Sequence, residues 1–414
     1  MSRLEHDGGE ISGTTPGVAL TIIAASTLLS MSVWFSASFV LPQLTEEWQL
    51  SPGSGALLTV AVQLGFVVGA VFSAMSGMAD RMANRVLICG GALGAAAANL
   101  GVLLAGGLWP AVALRFVTGF FLAAVYPSAL KETATWFRAG RGKALGTVIG
   151  ALTVGSALPH AVNAAGGVDW RLVIAVTSLL GALGGVLALA LRSPGPYPFP
   201  QRHVTLGGAL RSLRNRDVVL ADLGYVGHMW ELYAMWGTVA SLLASVPAVE
   251  DSARPNVLAS AIAFLCIGVG AVGCLVGGVL SDRWGRASAA RVCLLCSGGA
   301  ALLLALGIDA MPSGVIIAVC AFWGFWVVAD SAQFSALVTE RADPDYVGGA
   351  LSLQLALGYL TTALTLWGVP VLVQHTSWRV ALLVLAAGPV LGVAAMGRAI
   401  ARDRRGSPHP RVSL

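Results

Sequence analysis

The chain has 414 residues, of which 56% are apolar and 11% charged, with 51 glycines and a formal net charge of +5. A soluble globular domain carries about 25% charged residues and about 7% glycine, so a soluble enzyme of two or three ordinary domains is excluded. The charges fall in short bursts between long stretches that hold none, which is the pattern of a polytopic membrane protein.

A helix needs roughly 20 mainly apolar residues to cross the hydrocarbon core, and cutting the apolar stretches at Gly, Pro and Asn turns predicts about twelve such helices. They are expected near 18–41, 54–78, 86–106, 109–131, 143–165, 170–192, 218–245, 256–281, 288–308, 313–338, 347–374 and 377–400. The apolar runs are continuous, whereas barrel strands alternate apolar and polar residues, so the expected fold class is an all-α integral membrane protein. Residues 1–17 contain one basic residue and lead into a first span without a cleavage-site pattern, which reads as a tail before a retained helix.

With an even number of spans both ends of the chain share a side. All 25 basic residues except Arg115, Arg171, Arg254 and Arg379 then fall on that side, predicting a cytoplasmic (inner) membrane protein with both termini cytoplasmic. The positive charge follows from topology, and no nucleic-acid partner is implied. The expected partners are the lipid bilayer, a small solute and protons, with a monomer as the simplest assembly.

The longest polar break, 193–217, holds Pro194, Pro196, Pro198 and Pro200 and divides the chain into six-helix bundles at 18–192 and 218–400, with a tail at 401–414. The halves echo one another. Asp80-Arg81 recurs as Asp282-Arg283, Lys143-Ala144-Leu145 as Gly349-Ala350-Leu351, and Trp170-Arg171 as Trp378-Arg379, at offsets of 202, 206 and 208 residues. Two pseudo-symmetric six-helix bundles are the expected architecture, as in transporters that rock two halves around a central site.

Six cysteines in such a membrane imply no disulfide framework, and Cys293 with Cys296 reads as packing within an apolar helix. No phosphate-binding loop, zinc-protease helix or serine-hydrolase elbow is present, so neither an ATP-driven pump nor a hydrolase is expected, and no cofactor or metal is called for.

The run Gly278-Val279-Leu280-Ser281-Asp282-Arg283-Trp284-Gly285-Arg286 resembles the G-x-L-x-D-R-x-G-R signature of the major facilitator superfamily. Ser76 to Arg85 resembles a degraded copy, with Ser76 and Ala83 at the glycine positions. The resemblance covers the whole chain and implies twelve helices, a non-enzymatic transporter and alternating access. Asp80, Arg81, Gly278, Asp282, Arg283, Gly285 and Arg286 would form a conformational latch, because a carboxylate and guanidiniums in a tight loop can pair with each other and with helix ends in one state and part in the other.

Arg115 with Gly119 is similar to the family's R-x-x-x-G motif. The family's antiporter run G-P-x-x-G-G is replaced by Gly155-Ser156-Ala157-Leu158-Pro159-His160, while Tyr126-Pro127 with Lys131 looks like bacterial facilitators that import small anions. Proton-coupled import of a small anion or polar metabolite is therefore expected over efflux by a drug or metabolite/proton antiporter. A non-transporting receptor or scaffold is the alternative of another class.

Polar groups inside a span are costly, so the few that occur are the candidates for substrate and coupling contacts: Gln63, Arg115, Tyr126, His160, His228, Glu231, Tyr233, Asp330, Gln333, Gln354 and Tyr359. Helical periodicity puts His228, Glu231 and Met235 on one face, and Trp326, Asp330 and Gln333 on another. A rise of about 1.5 Å per residue places Arg115 and His160 in the outer third, Glu231 near the middle, and Tyr126 with Asp330 in the inner third. Glu231 is the expected proton-coupling carboxylate, with Asp330 second. Arg115 is either a solute contact or one partner of an ion pair, Asp222 is expected to be solvated, and Trp230, Tyr233 and Trp236 are either cavity wall or core.

Overall fold

The computed structural model describes residues 14–76, 78–138, 140–165, 169–197, 211–343 and 347–406, and all of the regular structure among them is helical. The helices are α1 Pro16–Met31, α2 Ser36–Phe39, α3 Leu41–Trp48, α4 Pro52–Ser76, α5 Met78–Arg81, α6 Asn84–Gly101, α7 Leu108–Leu122, α8 Tyr126–Trp136, α9 Arg141–Ala164 and α10 Trp170–Ala188. They continue as α11 Arg216–Ala244, α12 Pro247–Glu250, α13 Pro255–Gly268, α14 Gly270–Trp284, α15 Arg286–Gly307, α16 Ser313–Val327, α17 Ser331–Arg341, α18 Val347–His375 and α19 Trp378–Gly406. Ten helical stretches among the described residues are long and apolar enough to cross a bilayer. α1 is apolar but shorter, and α11 has the length but carries Asp217, Asp222, His228 and Glu231.

Local chemistry sets the helix starts. Thr15 accepts the amide of Val18 ahead of Pro16, Asp169 accepts from Arg171 N at 2.7 Å, and Asn215 accepts from Asp217 N at 3.0 Å. Gly285, at φ +81°, turns the chain from α14 directly into α15.

Four expected spans are interrupted. The first breaks at 32–35 and resumes as α2 and α3; the fourth breaks at 123–125, the eighth at Val269 and the tenth at 328–330. Helix α11 begins two residues before the expected span, and α19 runs on to Gly406, so 401–406 is helix and not tail. Residues 198–210 of the expected linker and 407–414 lie outside the described residues. The linker's first residues fold back, with Tyr197 N donating to Thr135 O at 2.9 Å.

Helix packing repeats. α1 packs on α9 and α10, α6 on α7 and α10, and α4 on α7; later in the chain α11 packs on α18 and α19, α15 on α16 and α19, and α13 on α16. Two seams join these groups, α4 against α18 and α9 against α13 and α14. Glycine permits the closest approaches. A Cβ at Gly65 or Gly119 would collide with the carbonyls of Phe116 or Val62, and one at Gly273, Gly277 or Gly324 with those of Phe325, Ala329 or Cys266. Large apolar side chains such as Leu104, Trp109, Leu265, Leu364 and Val390 point outward, as expected of a surface that meets lipid.

Candidate functional site

The break in the first span contains neither glycine nor proline, and a side chain from another helix holds it open. Arg115 of α7 donates through Nη1 to Val33 O at 2.9 Å, Asn99 Oδ1 at 2.7 Å and Ser36 Oγ at 3.1 Å, through Nη2 to Trp34 O, and through Nε to Leu58 O at 3.4 Å. Asn99 also donates to Ser178 Oγ at 2.9 Å, so one network ties α2, α4, α6, α7 and α10 together. Arg115 was expected to meet a solute or a carboxylate. Instead its guanidinium is solvated by five neutral acceptors and fully buried, which satisfies the fork geometry that only arginine offers.

With its carbonyls fixed, the break turns Trp34 and Phe35 toward the later helices. Trp34 lies 5.0 Å from Phe66 of α4, 5.8 Å from Tyr233 of α11 and 5.6 Å from Tyr359 of α18, all between ring centroids. Phe35 stacks on Tyr233 at 5.8 Å and meets Trp236 at 6.2 Å, and Phe66 is 4.2 Å from Tyr359. The Tyr233 and Tyr359 hydroxyls share a hydrogen bond of 3.1 Å. His160 of α9 joins the edge of this stack, 3.4 Å from the ring of Phe39. Trp230 is elsewhere: its Nε1 donates to Val384 O at 3.0 Å, against α19. Tyr126 opens α8 after the break in the fourth span and is half-buried.

The opposite face of α11 carries the carboxylate. Glu231 accepts from Ser297 Oγ of α15 at 2.8 Å and from Trp323 Nε1 of α16 at 2.7 Å. One turn earlier, His228 Nε2 is 3.0 Å from Ser331 Oγ, and its Nδ1 lies 2.8 Å from Asp330 Oδ1, out of line for a linear hydrogen bond. Asp330 thus lies beside His228, one turn of α11 from Glu231. The break at 328–330 ends the helical periodicity that put Trp326 with Asp330; Trp323 reaches the Glu231 carboxylate while Trp326 packs with Phe322 and Phe325. Gln333 donates weakly to Gly277 O at 3.5 Å. Asp222, expected in solvent, is buried and accepts from Gln354 Nε2 at 3.0 Å.

The end of the bundle that carries most arginines contains the signature run. Asp282 lies over the start of α9, its Oδ1 3.2 Å from where a Cβ on Gly142 would stand, and Gly278 sits 3.3 Å, measured the same way, from Gly142 O. Arg286 is 3.6 Å from Asp282 Oδ1, 3.2 Å from Glu340 Oε1 and 2.8 Å from Ser281 Oγ. Arg283 and Arg81 are exposed. In the degraded copy, Asp80 falls in α5 with its side chain outside those described, and Gly77 is likewise outside. Arg85 instead donates to Leu191 O at 2.5 Å, and Asn84 Nδ2 to Glu132 Oε2 at 2.8 Å. Glu132 is buried, and its Oε1 also accepts from Trp136 Nε1 at 3.2 Å.

Sequence reasoning missed Trp34, Phe35 and Phe66, the neutral network around Asn99, and the donors Ser297 and Trp323. Apolar rings inside an apolar span carry no signal of their own. The break opposite Arg115 was the available clue, since a lone buried guanidinium needs carbonyls that an unbroken helix does not release.

An all-helical, multi-pass bundle with glycine-tight seams and an aromatic site shared by its two groups of helices defines a membrane protein of the transporter type. The pattern of the Major Facilitator Superfamily matches residues 23–366, and the chain belongs to that family. Relatives include the MFS transporter asaE of Aspergillus flavus, 28% identical over 249 residues that cover 58% of this chain and 54% of that one. A putative uncharacterized transporter of Escherichia coli, YgaY, is 28% identical over 248 residues, covering 55% of this chain and 58% of its own. The chain thus spans little more than half the length of these relatives. Among solved structures, a mutant of the nucleoside transporter NupG superposes with a TM-score of 0.70 at 13% identity, covering 92% of this chain and 99% of that one, a likeness of fold.

Proposed function

We propose that this protein is a secondary transporter of the cytoplasmic membrane, moving a small solute by alternating access between six-helix bundles on either side of the 193–217 linker. The observation that carries the reading is the ring stack of Trp34, Phe35 and Phe66 against Tyr233, Trp236 and Tyr359, which both bundles build and neither completes alone. The transporter names of the fungal and bacterial relatives point the same way. The bundles rock on the α4–α18 and α9–α14 seams, with Asp282 over the start of α9 latching one state. The arginine-rich end, both termini and the linker face the cytoplasm, and one chain is a complete transport unit.

Coupling is to protons through Glu231, with His228 and Asp330 beside it. Tyr233 and Trp236 lie on the face of α11 opposite Glu231, so a change of charge on one face can tilt the helix whose other face closes the solute site. Neutralising a carboxylate before it moves also avoids carrying its charge through the membrane potential, about 2.3 kcal/mol per 100 mV. Transport runs inward, since the exporter run is absent from α9. Arg115, weighed as a solute contact, is committed to the break in the first span, so its charge is not turned toward a solute.

The test is solute-dependent proton movement in proteoliposomes holding a pH-sensitive dye, for parent and Glu231→Gln. The parent should acidify the lumen as solute enters, and the variant should bind solute yet fail to accumulate it. Accumulation by Glu231→Gln with an unchanged pH dependence would remove Glu231 from the coupling role, and proton flow opposite to the solute would reverse the direction.

A further inference from the structure

The ring stack carries more unpaired polar atoms than a closed core tolerates. Buried donors and acceptors are nearly always partnered, and leaving one unsatisfied is strongly unfavourable. Here Trp34 Nε1 and Trp236 Nε1, both amide atoms of Gln63 and both ring nitrogens of His160 lack a hydrogen-bond partner, and each of these four side chains is at most 1% exposed. All border the same stack. Trp34 and Trp236 are members of it, Gln63 stands one helical turn before Phe66 on α4, and His160 lies on Phe39, itself 6.1 Å from Phe35.

The charged side chains nearby are engaged away from the rings. The Arg115 guanidinium is bound by neutral acceptors, Glu231 by Ser297 and Trp323, and Asp222 Oδ1 by Gln354, while Asp330 lies against His228; Asp222 Oδ2 and Asp330 Oδ1 are without a hydrogen-bond partner, but neither residue contacts a ring of the stack. What remains is a set of ring faces, two indole N–H donors, a carboxamide and an imidazole. We infer that the solute is an uncharged, planar aromatic or conjugated molecule with hydrogen-bond acceptors on its edge, held between the ring faces of the two bundles while those acceptors take the indole N–H groups of Trp34 and Trp236.

This rests on the transporter reading and gives its site a chemical class. A flat ring fits the geometry because rings admit it at a contact separation of about 3.5 Å, within reach of a small rocking of the seams. Charged solutes are excluded for a physical reason. A buried ion without a paired charge carries a desolvation cost that ring faces and neutral donors do not offset for an anion. A cation would find ring faces, but it would bring no acceptor for the two N–H groups.

The test uses the purified full chain and matched probes: the carboxamide, carboxylate and amidinium derivatives of benzene, naphthalene and indole, with cyclohexanecarboxamide as the non-planar control. Binding is read from thermal stabilisation and from quenching of tryptophan fluorescence. Carboxamides of the planar rings should stabilise the protein, their charged counterparts and the cyclohexane control should not, and Trp34→Phe and Trp236→Phe should each weaken binding at least fivefold. Both indoles are fully buried, so the smaller phenyl ring also loses packing and should lower stability without probe; binding is therefore read as the probe-induced shift relative to each variant's own probe-free baseline.

Stronger binding by carboxylates or amidiniums, no binding by any planar carboxamide, or undiminished binding in both tryptophan variants would overturn the class. The transporter reading fails separately. Carboxamide binding with no solute-dependent flux in proteoliposomes would leave the class standing and sink transport, whereas flux of a charged solute would do the reverse.

Discussion

Arg115→Lys tests whether the guanidinium is scaffold or solute contact, because it keeps the charge and removes the fork. Lysine brings three donors where the arginine serves five acceptors, so at least two of Val33 O, Trp34 O, Asn99 Oδ1, Ser36 Oγ and Leu58 O lose their partner. At about 1–3 kcal/mol for each buried acceptor left unsatisfied, the variant should lose about 2–6 kcal/mol, a large part of what holds a folded domain together. Thermal unfolding in detergent, followed with a thiol-reactive dye, suits the chain because five of its six cysteines are buried and report opening. Asn99→Ala should be non-additive with it, since the two residues share the 2.7 Å bond. A lysine variant as stable as the parent but unable to bind solute would refute the scaffold argument and return Arg115 to the transport site.

Asp282→Asn should slow transport by tenfold or more while leaving the solute dissociation constant unchanged, as measured by flux and equilibrium binding on the same preparation; equal losses in both would count against a latch. Reporter fusions after Arg216 and at the C-terminus should both give cytoplasmic signals, and a periplasmic signal at either would invert the topology. Gly277→Ala drives a methyl into the Ala329 carbonyl and should lower stability by about 1–3 kcal/mol. Gly299→Ala meets open space within its helix and should raise stability by up to about 1 kcal/mol through helix propensity; similar effects at both sites would show that the seam is not tight.

The spans were legible because crossing a bilayer demands a long apolar run whatever the tertiary context, and the basic loops were legible because charge is rare in this chain. Interruptions at 32–35 and 328–330 were not. Ser32 to Phe35 includes no residue that breaks a helix by itself, and the break depends on a guanidinium 82 positions from Val33, a non-local cause that local periodicity does not register. Glu231, Asp330, His228 and Gln63 stood out as polar groups in apolar surroundings, and all four proved buried. Asp222 was misplaced because position along the helix was read as depth in solvent, while Gln354 of α18 covers it.

The two groups of helices differ in chemistry where they agree in packing, and the difference bears on where coupling can act. In the first, Arg115 and Asn99 build a network of neutral acceptors whose members have no reason to change protonation as the bilayer sides are exposed in turn. In the second, Glu231, His228 and Asp330 meet around one turn of α11, and Glu231 bonds to α15 and α16. Under the proposed coupling, the ring wall carried by α11 is the one that moves and the Trp34 wall is the one that stays. Motion driven by protons should appear as displacement of α11 relative to α15 and α16, with the Trp34 wall unmoved. Distance measurements between spin labels on α11 and α15 at two pH values should show the shift, and labels on α6 and α10 should not. A shift confined to the first group would place coupling outside the Glu231 cluster.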